Sequence, residues 1–403
     1  MALASNTSQH SGRATARTAF RFVLLIGVLS FFADLTYEGS RSILGPYLAT
    51  LAATGTIVSV VTGFGELLGY TVRLVSGRLA DATGKFWPIT IFGYVVQMAS
   101  VPALAFTTTW RQAAVLIILE RIGKAIRNPP RDVMLSHAAQ RVGGYGWVFG
   151  VHEALDQFGA LVGPLLISAV LASRGEYHIA FAVLVIPAAI NLCLVFVARY
   201  LYPRPQDLES TRAGDAGPHL PALFRLYLVA AALVAAGFAD YPLLAFHWHR
   251  TGAVPGEWIA AFYAVAMGVS GAGSLVFGRM FDRMGFAVLI ALTLVSAAFA
   301  PLAFFGNFWT ALLGAALWGF GMGVHESIIP AAVAPMVSPS HRASAFGLFT
   351  AVYGIAWFCG SAVIGVLYDR SIPATVAFCV VTQLAALPIF LRVSKDYGTT
   401  RHG

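Results

Sequence analysis

The chain has 403 residues, 58% hydrophobic and 11% charged, and a net charge of +8. Soluble domains carry roughly a quarter charged residues, so a water-soluble globule of this size, which could not cover its surface, is excluded. Nor does the positive balance mark a nucleic-acid surface, because most of the cations fall in the breaks between apolar runs.

Apolar runs near twenty residues recur along the whole length and predict membrane-spanning helices. Twelve are placed at 20–47, 55–79, 87–106, 112–138, 145–172, 177–200, 222–246, 257–280, 286–305, 308–335, 342–367 and 373–393. Residues 1–19 are rich in Ser and Thr, and no small-residue cleavage site follows a short apolar core. They read as a cytoplasmic tail before an uncleaved first helix. A break rich in Pro and Gly at 203–221 reads as a cytoplasmic linker between bundles at 20–202 and 222–395, and 396–403 as a second cytoplasmic tail. With the N-terminus inside, sixteen Lys and Arg lie in inner segments and four in outer loops. That bias predicts a multi-pass inner-membrane protein with both termini in the cytoplasm. The remaining six cations fall inside spans.

Charge within the spans follows helical spacing. Span 1 carries Asp34, Glu38 and Arg41 on one face, and span 2 adds Glu66 and Arg73. After span 2 comes Gly77-Arg-Leu-Ala-Asp81-Ala-Thr-Gly84, followed by Lys85. In span 4, Glu120, Lys124, Arg127 and Arg131 follow at steps of four, three and four, again one face. Asn128-Pro129-Pro130 predicts a kink that turns freed carbonyls toward a polar interior. Span 5 carries Gly150, Gly159, Gly163 and Pro164, a spacing that lets another helix approach closely, together with His152, Glu153 and Asp156.

The second half repeats the first. Phe32-Ala33-Asp34 returns as Phe238-Ala239-Asp240. The turn at Gly77 returns 201 residues later as Gly278-Arg-Met-Phe-Asp282-Arg-Met-Gly285, and Gly123 to Arg127 is echoed by Gly321 to His325, beside Glu326. Two copies of one hinge mark two related helical bundles. His247 and His249 sit two apart, which does not put them on one helix face, so no metal site is expected. Cys193, Cys359 and Cys379 lie in apolar contexts without paired spacing and read as buried thiols.

These patterns resemble the major facilitator superfamily: Gly77, Asp81, Gly84 and Lys85 look like its signature between helices 2 and 3. The run from Gly150 through Gly159 to Gly163-Pro164 is similar to its antiporter motif, although Leu165 and Leu166 stand where paired glycines often follow. Glu120-Arg121-Ile-Gly123-Lys124 resembles its fourth-helix motif. The stretches 120–132 and 321–327 are also similar to a bacterial subgroup of largely uncharacterised transporters. The resemblance implies an all-α membrane protein of twelve helices in two pseudo-symmetric six-helix bundles, with helices 1, 4, 7 and 10 around a central cavity. It places Asp34, Glu38, Arg41, Lys124, Arg127, Asp240, His325 and Glu326 there for substrate or proton coupling. Glu153 and Asp156 join them as intramembrane acids, and the acids of helices 1 and 5 are expected to neutralise Lys124 and Arg127. Gly77, Asp81, Gly84, Lys85, Gly278, Asp282 and Gly285 would form a cytoplasmic gate.

No Gly-x-x-x-x-Gly-Lys-Ser/Thr run is present. The chain therefore reads as a secondary active transporter working by alternating access, not an enzyme, with proton-coupled export of a small amphiphilic compound or drug favoured. Proton-coupled uptake or exchange of an organic anion is the alternative. A membrane-embedded enzyme built on His152, Glu153 and Asp156, or a transport-inactive sensor, is more distant. The partners expected are a small-molecule substrate, protons and the lipid bilayer, with no nucleic acid, cofactor or metal, and a monomer as the working unit.

Overall fold

A computed structural model describes residues 16–142, 145–205, 222–284, 286–329 and 342–402, with Val333 and Met336; these residues are nearly all helical, and among them there is no strand. In the first half the helices are α1 (Ala16–Thr50), α2 (Gly55–Thr83), α3 (Phe86–Ala103), α4 (Trp110–Val142), α5 (Tyr145–Arg174), α6 (Tyr177–Val183) and α7 (Val185–Leu201). In the second half they are α8 (Ala222–Ala236), α9 (Tyr241–Thr251), α10 (Gly256–Met284), α11 (Ala287–Ala297), α12 (Phe299–Phe305) and α13 (Phe308–Gly323). A π-helical turn at Val324–Ile328 follows, then α14 (Arg342–Arg370) and α15 (Ile372–His402). Most of the linker and the start of the N-terminal tail, at 206–221 and 1–15, lie outside the described residues.

Local chemistry explains many of the ends. Thr54 caps α2 by accepting from the Ile57 amide, and Asn307 caps α13 by accepting from Trp309 and Thr310. Gly84 ends α2 in the left-handed region at φ 63°, where a side chain is strained. Nine helical segments among the described residues are long and apolar enough to cross a membrane by length and composition. Three further helices complete the twelve: α4, whose charges keep it out of that set, α13, which has only 16 residues, and α10, which has 29. The chain is a twelve-span membrane protein of two six-helix bundles.

Two expectations are corrected. The seventh span is not one helix over 222–246: it breaks at 237–240, and Asp240 takes an extended conformation (φ −67°, ψ 142°) before Pro242, which has no N–H to give a preceding turn. Cys193 and Cys359 are exposed on their helices rather than buried, while Cys379 is buried. A small apolar thiol costs little on a surface that faces lipid.

Within the first half α1 packs on α5, α7 and α4, and α3 on α4; within the second, α10 packs on α13 and α8 on α14 and α15. The α1–α5 contact is very close: a Cβ at Gly159 or Gly163 would collide with the carbonyl oxygens of Phe31 or Leu35. Between the halves, α2 packs on α14, α5 on α10 and α1 on α9. Polar links between the halves gather at the end where α1 gives way to α2. There Asp369 of α14 accepts from the amides of Gly55 and Thr56, each at 2.9 Å, and from the Thr56 hydroxyl at 2.6 Å. Ser168 of α5 donates to the Glu257 carbonyl at 2.6 Å, and a Cβ at Gly45 would collide with the Pro242 carbonyl. This is the closed face of the molecule.

Candidate functional site

Between the halves lies a cavity of about 670 Å³. Its first-half wall is charged, drawn from one face each of α1, α2, α4 and α5; its second-half wall is Met267, Met322, His325, Glu326 and Trp357. Six cations and seven carboxylates line it. The cations are Arg41, Arg73, Arg121, Lys124, Arg127 and Arg131, the same six that charge placement had left inside spans.

Arg127 is wholly buried and fully engaged. Its Nε donates to Gln97 at 2.6 Å, Nη1 to the Tyr94 hydroxyl at 3.0 Å and Nη2 to Asp34 at 3.4 Å, with its guanidinium 4.5 Å from the Tyr94 ring centre. A guanidinium supplies such a fork; an ammonium does not. Lys124 is held more loosely. Its Nζ lies 3.8 Å from Asp34 and 4.0 Å from Glu38, and 3.7 Å from the centre of the Tyr37 ring. Glu38 also accepts from Tyr263 of α10 at 2.5 Å, so this acid joins the two halves.

A second cluster lies toward the closed face. Glu66 accepts from Arg41 at 3.3 Å and pairs with Arg121 at 2.9 Å, while Arg41 reaches Asp240 at 3.9 Å. Asp240, at the break in the seventh span, accepts from Trp357 at 3.1 Å, Ser361 at 3.2 Å and Thr62 at 3.1 Å. Thr62 belongs to the first half, so Asp240 too bonds across the halves.

Burying charges is expensive unless they are paired and hydrogen-bonded, and most of this wall is. The acids of α5, however, do not neutralise Lys124 or Arg127 as expected. Asp156 lies 3.6 Å from His152, and Glu153 accepts from Gln157 at 2.9 Å. Partners on α1 and α3 already fill the bonding directions of Arg127, and the acids within 4 Å of Lys124 among the described residues are Asp34 and Glu38 of α1. His152, Glu153 and Asp156 bring one ligand atom each within 4.8 Å of one another, and His152 Nε2 is bonded to the Ser30 hydroxyl at 2.8 Å. His247 is committed to Tyr368 and to the Phe304 carbonyl, both at 3.1 Å.

In the second half, His325 and Glu326 ride on the π-helical turn, a form that recurs at functional sites. His325 Nδ1 bonds to the Tyr353 hydroxyl, and its ring packs 5.4 Å from Trp357 and 4.3 Å from Phe238. Glu326 is exposed to the cavity.

The residues expected at the gate are partly described. Gly77 lies beside Pro129 of α4, and the neighbouring Ser76 donates to the Ala125 carbonyl at 3.0 Å. That carbonyl is the one Pro129, lacking an N–H, leaves open. The freed group thus bonds α2 instead of facing a polar interior, and α4 continues through both prolines as one helix. Lys85 is exposed at the start of α3, and Gly278 lies in α10. The side chains of Asp81 and Asp282, and all of Gly285, lie outside the described residues. Gly150, Gly159, Gly163 and Pro164 all belong to α5.

Composition and spacing did not single out Tyr37, Tyr94, Gln97, Tyr263 or Tyr353. Neutral side chains carry no charge signal; Tyr94 and Gln97 lie one turn apart on α3, which was the available hint.

The model of the Major Facilitator Superfamily matches residues 26–285 and 234–401. An uncharacterized protein of Mycobacterium tuberculosis is 40% identical over 385 residues, covering 94% of each chain. An uncharacterized MFS-type transporter of Methanocaldococcus jannaschii is 26% identical over 361 residues, covering 87% of this chain and 89% of that one. A crystal structure of the nucleoside transporter NupG superposes with a TM-score of 0.77 at 15% identity, covering 92% of this chain and 100% of that one, a likeness of fold. With matches that span both halves, this chain belongs to the Major Facilitator Superfamily and is a membrane transporter.

Proposed function

We propose that the protein is a secondary active transporter of the cell inner membrane that exports a small amphiphilic compound in exchange for protons, acting as a monomer. The observation that carries this reading is the cavity itself, with one wall rich in ion pairs and the other of aromatic and Met side chains around a single carboxylate, Glu326. Such a space suits a molecule with a polar end and an apolar body. An MFS-type efflux pump of Mycolicibacterium smegmatis, 26% identical over 387 residues, supports the outward direction.

With both termini cytoplasmic, the closed face is the outer one and the described state is inward-facing. Glu38 and Asp240 are then the coupling acids with the most direct leverage, because each bonds across the halves. A proton on Glu38 removes the charge that Lys124 and the Tyr263 hydroxyl share, loosening a link that α1 and α10 hold in this state. Asp34 fixes Arg127 and Lys124 between turns of the cycle. At the cytoplasmic gate, Asp81 and Asp282 end the second and eighth spans, where a carboxylate meets a helix N-terminus or an arginine when the inner face closes.

A second reading, uptake or exchange of an organic anion, is favoured by Lys124, whose ammonium has no hydrogen bond within 3.5 Å among the described residues. Flux of a panel of drugs and organic anions into proteoliposomes, with and without an imposed pH gradient, separates the two. Gradient-driven movement of amphiphiles is expected. Movement of anions alone would select the second reading, and no gradient-dependent flux of any compound would overturn both.

A further inference from the structure

The charges lining the cavity do not cancel evenly. Arg127 is paired with Asp34, Lys124 lies between Asp34 and Glu38, Arg41 and Arg121 share Glu66, and Arg131 pairs with Asp132 at 2.8 Å. Asp156 faces His152. Two lining carboxylates are left with no cation within 4 Å among the described residues: Glu153 of α5 and Glu326 on the π-helical turn. Both are exposed to the cavity, and they come from opposite halves. One lining cation is likewise left over: Arg73 lies 5.9 Å from the Tyr70 ring on α2.

Around Glu326 the wall is aromatic. Trp357, His325 and Tyr353 form a chain of ring contacts at 5.4 to 6.0 Å, and Tyr70 reaches Tyr353 at 6.1 Å. Trp and Tyr faces attract cations, more strongly when water is excluded. Gln157 gives its amide to Glu153, and its carbonyl oxygen is buried with no donor among the described residues. An acceptor left open beside two unpaired carboxylates and an aromatic wall is a receptor for positive charge. It is not one for an anion.

We propose that Glu153 and Glu326 form a two-sided subsite for an organic cation, with Trp357 and its neighbouring rings receiving the apolar body. This deepens the transport reading above and rests on it. The placement of one carboxylate on each half also ties recognition to motion. Closing the inner face brings the halves together, and an empty subsite then drives like charges toward each other. A bound cation is a shared counter-ion for both acids and removes that opposition, so the loaded carrier closes more readily than the empty one.

The test uses the purified full-length chain in lipid nanodiscs and three probes of similar shape: tetraphenylphosphonium, uncharged triphenylmethanol and tetraphenylborate. Tetraphenylphosphonium is expected to bind at least about tenfold more tightly than the neutral probe, the weight of one charge-assisted contact. Glu153→Gln and Glu326→Gln are each expected to weaken cation binding about tenfold and leave the neutral probe unchanged; Trp357→Leu should weaken both probes. Both carboxylates are exposed and the Gln variants are isosteric, so unaltered melting temperatures are expected and separate lost recognition from lost folding. Unchanged cation affinity in both Gln variants, a preference for tetraphenylborate, or no binding of the cation overturns the proposal. Gradient-driven flux of other compounds in the same preparation would leave the transporter reading standing.

Discussion

Replacing Asp369 with Ala should shift the balance between the states of the carrier. In the described state its carboxylate accepts from Gly55 N, Thr56 N and the Thr56 hydroxyl. Those two amides are orphan donors at the start of α2, since the Thr54 oxygen accepts from Ile57 instead. Losing such a cap costs typically about 1 kcal/mol, and because Asp369 is exposed the charged part of that figure is screened by solvent. The link joins α2 to α14 across the halves, so the cost falls on the state in which this face is closed. About 1 kcal/mol corresponds to about a fivefold change in the ratio of states. Spin labels on the 51–54 and 252–255 turns, one in each half and with the native cysteines replaced, report the separation by double electron–electron resonance. The variant should gain a longer-distance population by about that factor, and high salt should narrow the difference. Distance distributions identical to the parent would refute the argument.

Gly159→Val should lower the melting temperature of the purified protein, because the new side chain meets the Phe31 carbonyl and forces α1 from α5; overpacking of this kind costs about 1–3 kcal/mol. Arg127→Leu should destabilise by about 1–3 kcal/mol in a denaturant titration, as it leaves Gln97 and Tyr94 without their buried donor and Asp34 with Lys124 alone, 3.8 Å away. Arg127→Lys should fall between, since one ammonium cannot serve Gln97, Tyr94 and Asp34 together. Asp81→Asn should reduce flux in proteoliposomes while expression holds, and unchanged flux would remove Asp81 from the gate.

Much of the site could be read from the chain because charge in an apolar span is conspicuous. Asp34, Glu38 and Arg41 announced one face of α1, and the steps from Glu120 to Arg131 announced one face of α4; both faces line the cavity, although Glu120 itself turns to Gln97 and Arg121. What spacing on one helix does not carry is which partner sits opposite. The acids of α5 were expected beside Lys124, yet they answer to His152 and Gln157. The cross-half bonds of Glu38 to Tyr263 and of Asp240 to Thr62 join positions 225 and 178 residues apart, and nothing local in the sequence marks them. The break in the seventh span was closer to legible: Gly237 and Pro242 flank it, but the hydropathy of 222–246 runs on unbroken and hid them.

The pairing of α4 also bears on how this protein enters the bilayer. A helix with Glu120, Arg121, Lys124, Arg127 and Arg131 is a poor substrate for insertion by itself, at roughly 2.5–3.5 kcal/mol for each central charge. The groups that neutralise or bond three of its cations, Asp34, Glu38, Glu66, Tyr94 and Gln97, all precede it in the chain. When α4 leaves the ribosome its counter-charges are already in the membrane. Biogenesis is therefore ordered by the same contacts that line the cavity, and a substitution that empties Asp34 or Glu66 should be felt first as a failure of α4 to stay inserted.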